Sequence, residues 1–251
     1  MSSSSGENRM TTARSVETEW LDVLPAEDPR AIRSRLDLHR VNKWMGNAGI
    51  MQRALLRSCT SAGPGLMLEL GAGDGRFTLE LARRLAPRWK YVKVVLLDCK
   101  NIVTGKTRDG FAALGWQAEA VTADAFDFLE HAKPHSFDAV TANLFLHHFQ
   151  PGKLARLLTQ VAQISDMFVA CEPRRSALAL AGSKMLWAIG CNAVSRHDAV
   201  ASVRAGFTGQ ELSELWPGQC DWRLSELAAG LFTHCFTAQR TTDPTDVQNE
   251  I

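Results

Sequence analysis

The residues of this 251-residue chain best suited to hold a charged ligand lie in the turn Glu69-Leu70-Gly71-Ala72-Gly73-Asp74-Gly75. Glycines at alternate positions let backbone amides come close to a ligand and let a following helix start tightly against the preceding strand. Turns of this kind serve several nucleotide sites, and two of those fail here. A dinucleotide fingerprint wants a third glycine three residues after Gly73, where Arg76 stands, and no Gly-Lys-Ser/Thr follows to make a P-loop. Glu69 stands two residues before the first glycine. A carboxylate there repels a pyrophosphate and suits a cation that carries an ammonium and a sulfonium. Asp98 ends the next apolar run, where a carboxylate accepts bonds from two ribose hydroxyls. Asp124, followed by Ala125, ends the run after that, where a side chain meets the exocyclic amine of an adenine. Each acid alone also reads as a plain strand end; their ordered recurrence carries the inference.

Such positions need strands that end together. Residues 66–70, 91–97, 118–122, 137–141 and 167–171 are short apolar runs, and each delivers polar residues at its C-terminal end. Helical patterns separate them, notably 77–85 and 151–164. This alternation predicts a parallel sheet covered on both faces, with ligands at the carboxyl ends of the strands. Residues 222–227 and 231–240 read instead as an antiparallel hairpin at the sheet edge, joined through Ala228-Ala229-Gly230. Ahead of the sheet, 1–29 reads as a flexible lead-in and 30–61 as a helical cap. The cap carries seven basic residues between Arg30 and Arg57 against one acid, Asp37, with Ile32, Leu36, Val41 and Met45 as its apolar face. The main domain spans 62–240 with a helical insertion at 173–204, and 241–251 is a polar tail.

Placed on these elements, the motifs resemble the class I S-adenosylmethionine-dependent methyltransferases. Residues 68–75 resemble the family's first motif, Leu97-Asp98 its ribose acid, Ala123-Asp124-Ala125 its adenine-side motif, and 137–149 its fourth-strand segment. The resemblance covers about residues 65–173 and the terminal hairpin in outline; it is strongest toward small-molecule enzymes of bacterial secondary metabolism. It implies a doubly wound, mostly parallel, seven-stranded Rossmann-like α/β sheet with an antiparallel C-terminal hairpin. It also implies S-adenosylmethionine as donor and S-adenosylhomocysteine as product, held by Glu69, Gly71, Ala72, Gly73, Gly75, Asp98, Cys99, Asp124, Ala125, Asn143 and Leu144.

The acceptor is read from departures from the family's pattern and from the segments, at the N-terminus and after the fifth strand, that the resemblance implies cover it. Base and amide methylases of this family carry Asn/Asp-Pro-Pro-Tyr after the fourth strand; here the sequence is Asn143-Leu144-Phe145-Leu146, which argues against a DNA partner. Metal-using relatives place hard oxygen ligands after strands four and five, where this chain offers Asn143 and Cys171-Glu172, so a metal-free reaction is expected. Methyl transfer is a displacement that needs alignment and, for a hydroxyl nucleophile, removal of a proton. His148 is the preferred base, with His147 and the His197-Asp198 pair as further candidates; a helix start at Ser195 is the structural reading of the last. Asn42, Trp44, Met45, Glu172, Arg174, Met185 and Trp187 are expected to wall a largely apolar acceptor pocket, suited to an aromatic polyketide, a quinone precursor or a phenolic lipid, with O- or C-methylation. The alternatives are an RNA methyltransferase that uses the basic stripe, and a donor-binding module without turnover.

Composition bounds the partners. With 45% hydrophobic and 22% charged residues the chain can fill a core, and a net charge of +1 gives no global pull toward nucleic acid or an acidic membrane. Six scattered cysteines without metal-ligand spacing, together with a Ser-rich start lacking a signal pattern, predict reduced thiols and a cytoplasmic protein. The apolar stretch at 176–194 is interrupted by Ser183, Lys184 and two glycines, so no transmembrane segment is expected. Oligomeric state leaves no mark in the sequence.

Overall fold

Five of the apolar runs become parallel strands, and the central ones are apolar on both faces, which suits burial between two layers of helices. The computed structural model describes residues 13–59 and 63–241, so the expectations for 1–12 and 242–251 lie outside the described residues. In chain order the elements are α1 (Trp20–Val23), α2 (Pro29–Met45), α3 (Asn47–Ser58), β1 (Leu66–Leu70), α4 (Arg76–Leu85), β2 (Lys93–Asp98), α5 (Gly105–Ala112), β3 (Gln117–Thr122), α6 (Ala125–His131), β4 (Ala139–Asn143), α7 (Pro151–Ile164), β5 (Met167–Pro173), α8 (Ala177–Lys184), α9 (Ala193–Ala205), α10 (Glu211–Leu215), β6 (Trp222–Ala229) and β7 (Thr233–Arg240). The seven strands run in the order β3-β2-β1-β4-β5-β7-β6. β1 to β5 pair in parallel, and β7 is antiparallel to both β5 and β6. This is the expected doubly wound α/β sheet with its terminal hairpin at the edge.

Alternation along the strands divides the core. Leu68, Leu70, Val140, Ala142 and Phe168 pack under α7 with Leu157 and Val161, while Met67, Val94, Ala139 and Val169 pack under α3 and α4 with Met51 and Leu85. Side chains two apart share a face. Glu69, Thr141 and Asn143 therefore lie on the α3/α4 side, at the carboxyl ends, where the apolar layer gives way to polar groups. The chain order reverses between β1 and β4, and that is where such a sheet opens a crevice.

The cap departs from its expected form. Residues 30–57 make two helices rather than one, broken at Gly46 with φ 74°, a left-handed turn that glycine takes without strain. The face of α2 turned inward is Ala31, Ser34, Asp37 and Asn42, whereas Ile32 and Leu36 are exposed. Polar partners override hydrophobic periodicity here: buried Asp37 accepts from Asn192 N at 2.8 Å and from the Ser195 hydroxyl at 3.1 Å, and Arg33 and Arg40 flank it. Asn192 rather than Ser195 caps α9. The lead-in is also held from residue 14 onward. Arg14 donates to the carbonyls of Ala205, Phe149 and His147 at 2.6, 2.7 and 3.0 Å, and Asp198 accepts from the amides of Trp20 and Leu21. Among the described residues no helix is long and apolar enough to cross a membrane.

Candidate functional site

β1, β2 and β3 deliver their acids to one cavity of about 540 Å³, whose wall includes Glu69, Asp98 and Asp124. Gly71 has φ 66°, and a Cβ there would lie 2.3 Å from the ring of Phe145, so only glycine fits between the turn and that ring. The turn's amides are already engaged: Ala72 N donates to Leu97 O at 2.9 Å, Gly73 N to Asp98 Oδ2 at 2.8 Å and Gly75 N to Ala72 O at 2.9 Å. A phosphate cradle needs such amides free. The Gly73 bond, with one from Lys100 N to Oδ1 at 2.8 Å, orients Asp98 on the cavity wall. Asp124 caps α6 by accepting from Phe126 N at 2.8 Å.

Glu69 is 1% exposed, and the Thr141 hydroxyl donates to it. Burial pushes its carboxyl up to about 8, with the Thr141 bond working against that rise. Burial without a charged partner favours the neutral form of such an acid. Beside it, Asn47 Nδ2 bridges Asn42 Oδ1 at 3.0 Å and Asn143 Oδ1 at 2.9 Å, Asn143 Nδ2 donates to Asn42 at 3.0 Å, and Thr233 bonds Asn47 at 2.6 Å. This buried network ties the cap to β4 and β7. After it the chain turns through Leu144, whose φ of 53° is left-handed without being glycine, a strain that clusters at functional sites.

His147 and His148 sit in the short 3₁₀ turn Leu146–His148. The turn is held by Glu172, which accepts from the amides of Phe145, Leu146 and His147 at 2.9, 2.8 and 3.3 Å and from His147 Nδ1 at 2.7 Å. Glu19, from the lead-in, lies 3.2 Å from His147 Nε2 and 3.5 Å from His148 Nε2, with Asp22 also 3.5 Å from the latter. Burial opposes charge on His148, but the bond to Glu19 and the charges of Glu19 and Asp22 outweigh it and raise the imidazole to about 9. His147 is raised against burial in the same way by Glu172 and Glu19. Burial works to raise Glu19, yet its bonds to both histidines hold it well below the usual carboxylate range; burial raises Asp22. Glu19, His147 and His148 bring one ligand atom each within 4.8 Å of one another, a spacing that could hold a metal.

The cavity brings together Gly71, Ala72, Gly73, Cys99, Ala125, Asn143 and Leu144 with Asn42, Trp44, Met45 and both histidines. Other expected positions fall elsewhere. Gly75 is off the cavity wall, and a Cβ there would meet Leu96 at 2.9 Å and Thr107 at 3.1 Å. Glu172 is fully buried and spent on the 3₁₀ turn rather than on a pocket. Arg174 bridges to Phe207, and Met185 and Trp187 are 62% and 64% exposed, because the 3₁₀ turn after α8 presents Leu186 inward instead. His197 is bonded to Asp198 at 2.9 Å and stacked on Trp20 at 3.9 Å, off the cavity wall. Glu19 and Asp22 escape sequence reading because isolated acids in an aperiodic lead-in carry no spacing signal. Asn47 escapes because a residue just past a helix break looks like a cap.

With this geometry the chain can be set beside known proteins. Residues 67–166 match the family profile described as a methyltransferase domain. Over those residues the chain is similar to a methyltransferase domain. Uncharacterized methyltransferases of Mycobacterium tuberculosis and Mycobacterium bovis are 36% identical over 110 residues, 43% of this chain and 50% of theirs, so the chain spans about half the length of the curated relatives it matches. A plantazolicin methyltransferase solved in complex with SAH aligns at TM-score 0.60 and 14% identity, over 86% of this chain and 92% of that one. A mitomycin 7-O-methyltransferase aligns at TM-score 0.58 and 17% identity, over 89% and 61%. At such identities these two establish the shared fold. The matched segment contributes the acid-tipped strands, and the segments outside 67–166 contribute Glu19, Asp22, Asn42 and Met45 to the same cavity.

Proposed function

We propose that the protein transfers a methyl group from S-adenosylmethionine to oxygen or carbon of a small, largely apolar acceptor. The observation that carries the reading is the meeting of Glu69, Asp98 and Asp124 in one cavity beside a glycine turn whose amides are already bonded. In this reading Asp98 binds the ribose, Asp124 and Ala125 face the adenine, and Glu69 with Asn143 meets the charged amino-acid end of the donor. The SAH bound to the plantazolicin enzyme, which shares the fold, supports this donor. Met45, Leu38, Leu186 and Phe232 give the remaining wall an apolar character that supports an aromatic or lipid-like acceptor.

Displacement at the methyl carbon asks chiefly for alignment of donor and acceptor. Asn143 and Glu172, at the ends of β4 and β5, are bonded to Asn47 and to backbone amides and are not available as metal ligands in this reading. A hydroxyl acceptor would lose its proton toward the part of the wall that carries Glu19, Asp22, His147 and His148. An RNA acceptor draws less support, since Arg30 pairs with Asp28, Arg35 bonds Ala26 O, and Arg33 and Arg40 pair with Asp37. Calorimetry with S-adenosylhomocysteine should give about micromolar affinity, about 8 kcal/mol. Absent binding removes the reading; binding without label transfer from methyl-labelled donor to any apolar phenol or quinone precursor leaves a donor-binding module.

A further inference from the structure

We infer that Glu19, His147 and His148, with Asp22 beside His148, form a site for one divalent cation of the zinc type on the wall of the donor cavity. The inference begins with the tautomers. Both oxygens of Glu172 already accept bonds from backbone amides, so Nδ1 of His147, 2.7 Å from Oε2, is the donor of that pair. The carbonyl of Phe145 can only accept, so Nδ1 of His148, at 2.9 Å, also donates. Each imidazole is thereby anchored through Nδ1 and presents Nε2 to the same place. Metal-bound histidines are oriented in this way, by a carboxylate or carbonyl behind the ring.

The distances between the presented atoms fit a metal polyhedron. His147 Nε2 lies 3.2 Å from Glu19 Oε1, and His148 Nε2 lies 3.5 Å from Glu19 Oε2 and from Asp22 Oδ2. Bonds of about 2.0–2.1 Å to a tetrahedral zinc set its edges at about 3.3–3.4 Å. Two imidazoles with carboxylates select a transition metal over magnesium or calcium, which take oxygen ligands alone. Two of the groups come from the lead-in and two from the turn after β4, so the cation also clips the lead-in over the cavity. All four groups lie on the cavity wall. A position left open toward the acceptor would polarise its hydroxyl and ease proton loss from it. That role rests on the methyltransferase reading; binding of the cation does not.

The test uses the untagged full chain, stripped with chelator and titrated with cobalt(II). Expected are one cobalt per chain, the visible bands of four-coordinate cobalt, and their loss on adding zinc. Glu19→Gln and His148→Gln should each weaken cobalt at least tenfold, and Glu172→Gln, which frees the His147 ring, about 10–100-fold. Asp22→Asn, at a side chain 52% exposed, should weaken cobalt without shifting the melting temperature. S-adenosylhomocysteine binding measured on the same samples reports an intact donor site. A protein that binds S-adenosylhomocysteine but takes up no cobalt overturns the inference. So does cobalt binding indifferent to Glu19→Gln and His148→Gln, or a near-ultraviolet spectrum of cysteine ligation. Cobalt binding with no S-adenosylhomocysteine binding sinks the methyltransferase reading and leaves the cation site standing.

Discussion

Glu69 and Asp98 are both carboxylates at strand ends, yet their surroundings give them different work. Asp98 is oriented by two amides and keeps lone pairs for a ligand. Replacing it with alanine should weaken S-adenosylhomocysteine by about 1.5–3 kcal/mol, the worth of hydrogen bonds to a charged group. Calorimetric affinity left unchanged would remove Asp98 from the donor site. Glu69 starts near 8 in the free protein and should fall when an ammonium arrives. Binding below that pH must release a proton, so affinity should drop as pH falls from 8 to 6, by up to about tenfold per unit. A flat profile contradicts this. Because its folded value is raised, the stability linked to Glu69 is complete below the ordinary 4.5 and is lost as pH rises through about 8. Glu69→Gln should therefore melt higher than the parent at alkaline pH while binding the ligand less well.

At the scale of elements, the glycine turn and the lead-in make separable contributions. Gly71→Ala sets a Cβ against Phe145 at 2.3 Å in a left-handed conformation, so Phe145 and the turn must part. A loss of about 1–3 kcal/mol in denaturant unfolding is expected, with weakened ligand binding. Arg14 draws three carbonyls from α9 and from the end of the 3₁₀ turn toward one guanidinium and lies 4.5 Å over Phe207. Arg14→Ala should leave the sheet folded but loosen residues 15–24, seen as faster chymotryptic cleavage near Trp20 and Leu21. Equal cleavage rates in the two proteins would mean that the bonds of Asp198, Glu19 and Lys100 hold the segment without Arg14. Gly46 shows how one residue redirects an element: its left-handed turn splits the cap and brings Asn47 into the polar network with Asn42 and Asn143.

For the whole molecule, ligand binding to the native state alone must raise stability. S-adenosylhomocysteine at a hundred times its dissociation constant should add about 2.7 kcal/mol, and for a domain of this size roughly 2–4 °C of melting temperature accompanies each kcal/mol. Thermal melts at rising ligand concentration check this, and a concentration-independent midpoint denies the binding. The sheet, its hairpin and the acids at β1, β2 and β3 were legible in the chain because burial on both faces writes apolar runs and glycine turns into local sequence. The cap was half legible: its helices showed, but the face it buries did not, since Asp37 and Asn42 are satisfied by residues more than a hundred positions away. Met185 and Trp187 are pocket residues on the family resemblance of their segment, yet the turn after α8 exposes them. The sequence by itself determined which strands form and which acids stand at their ends, through periodicity and turn chemistry acting over a few residues. Only the tertiary structure decided that Glu19 and Asp22 cross to His147 and His148, because hydrogen bonds and charge pairing between distant segments leave no periodic trace.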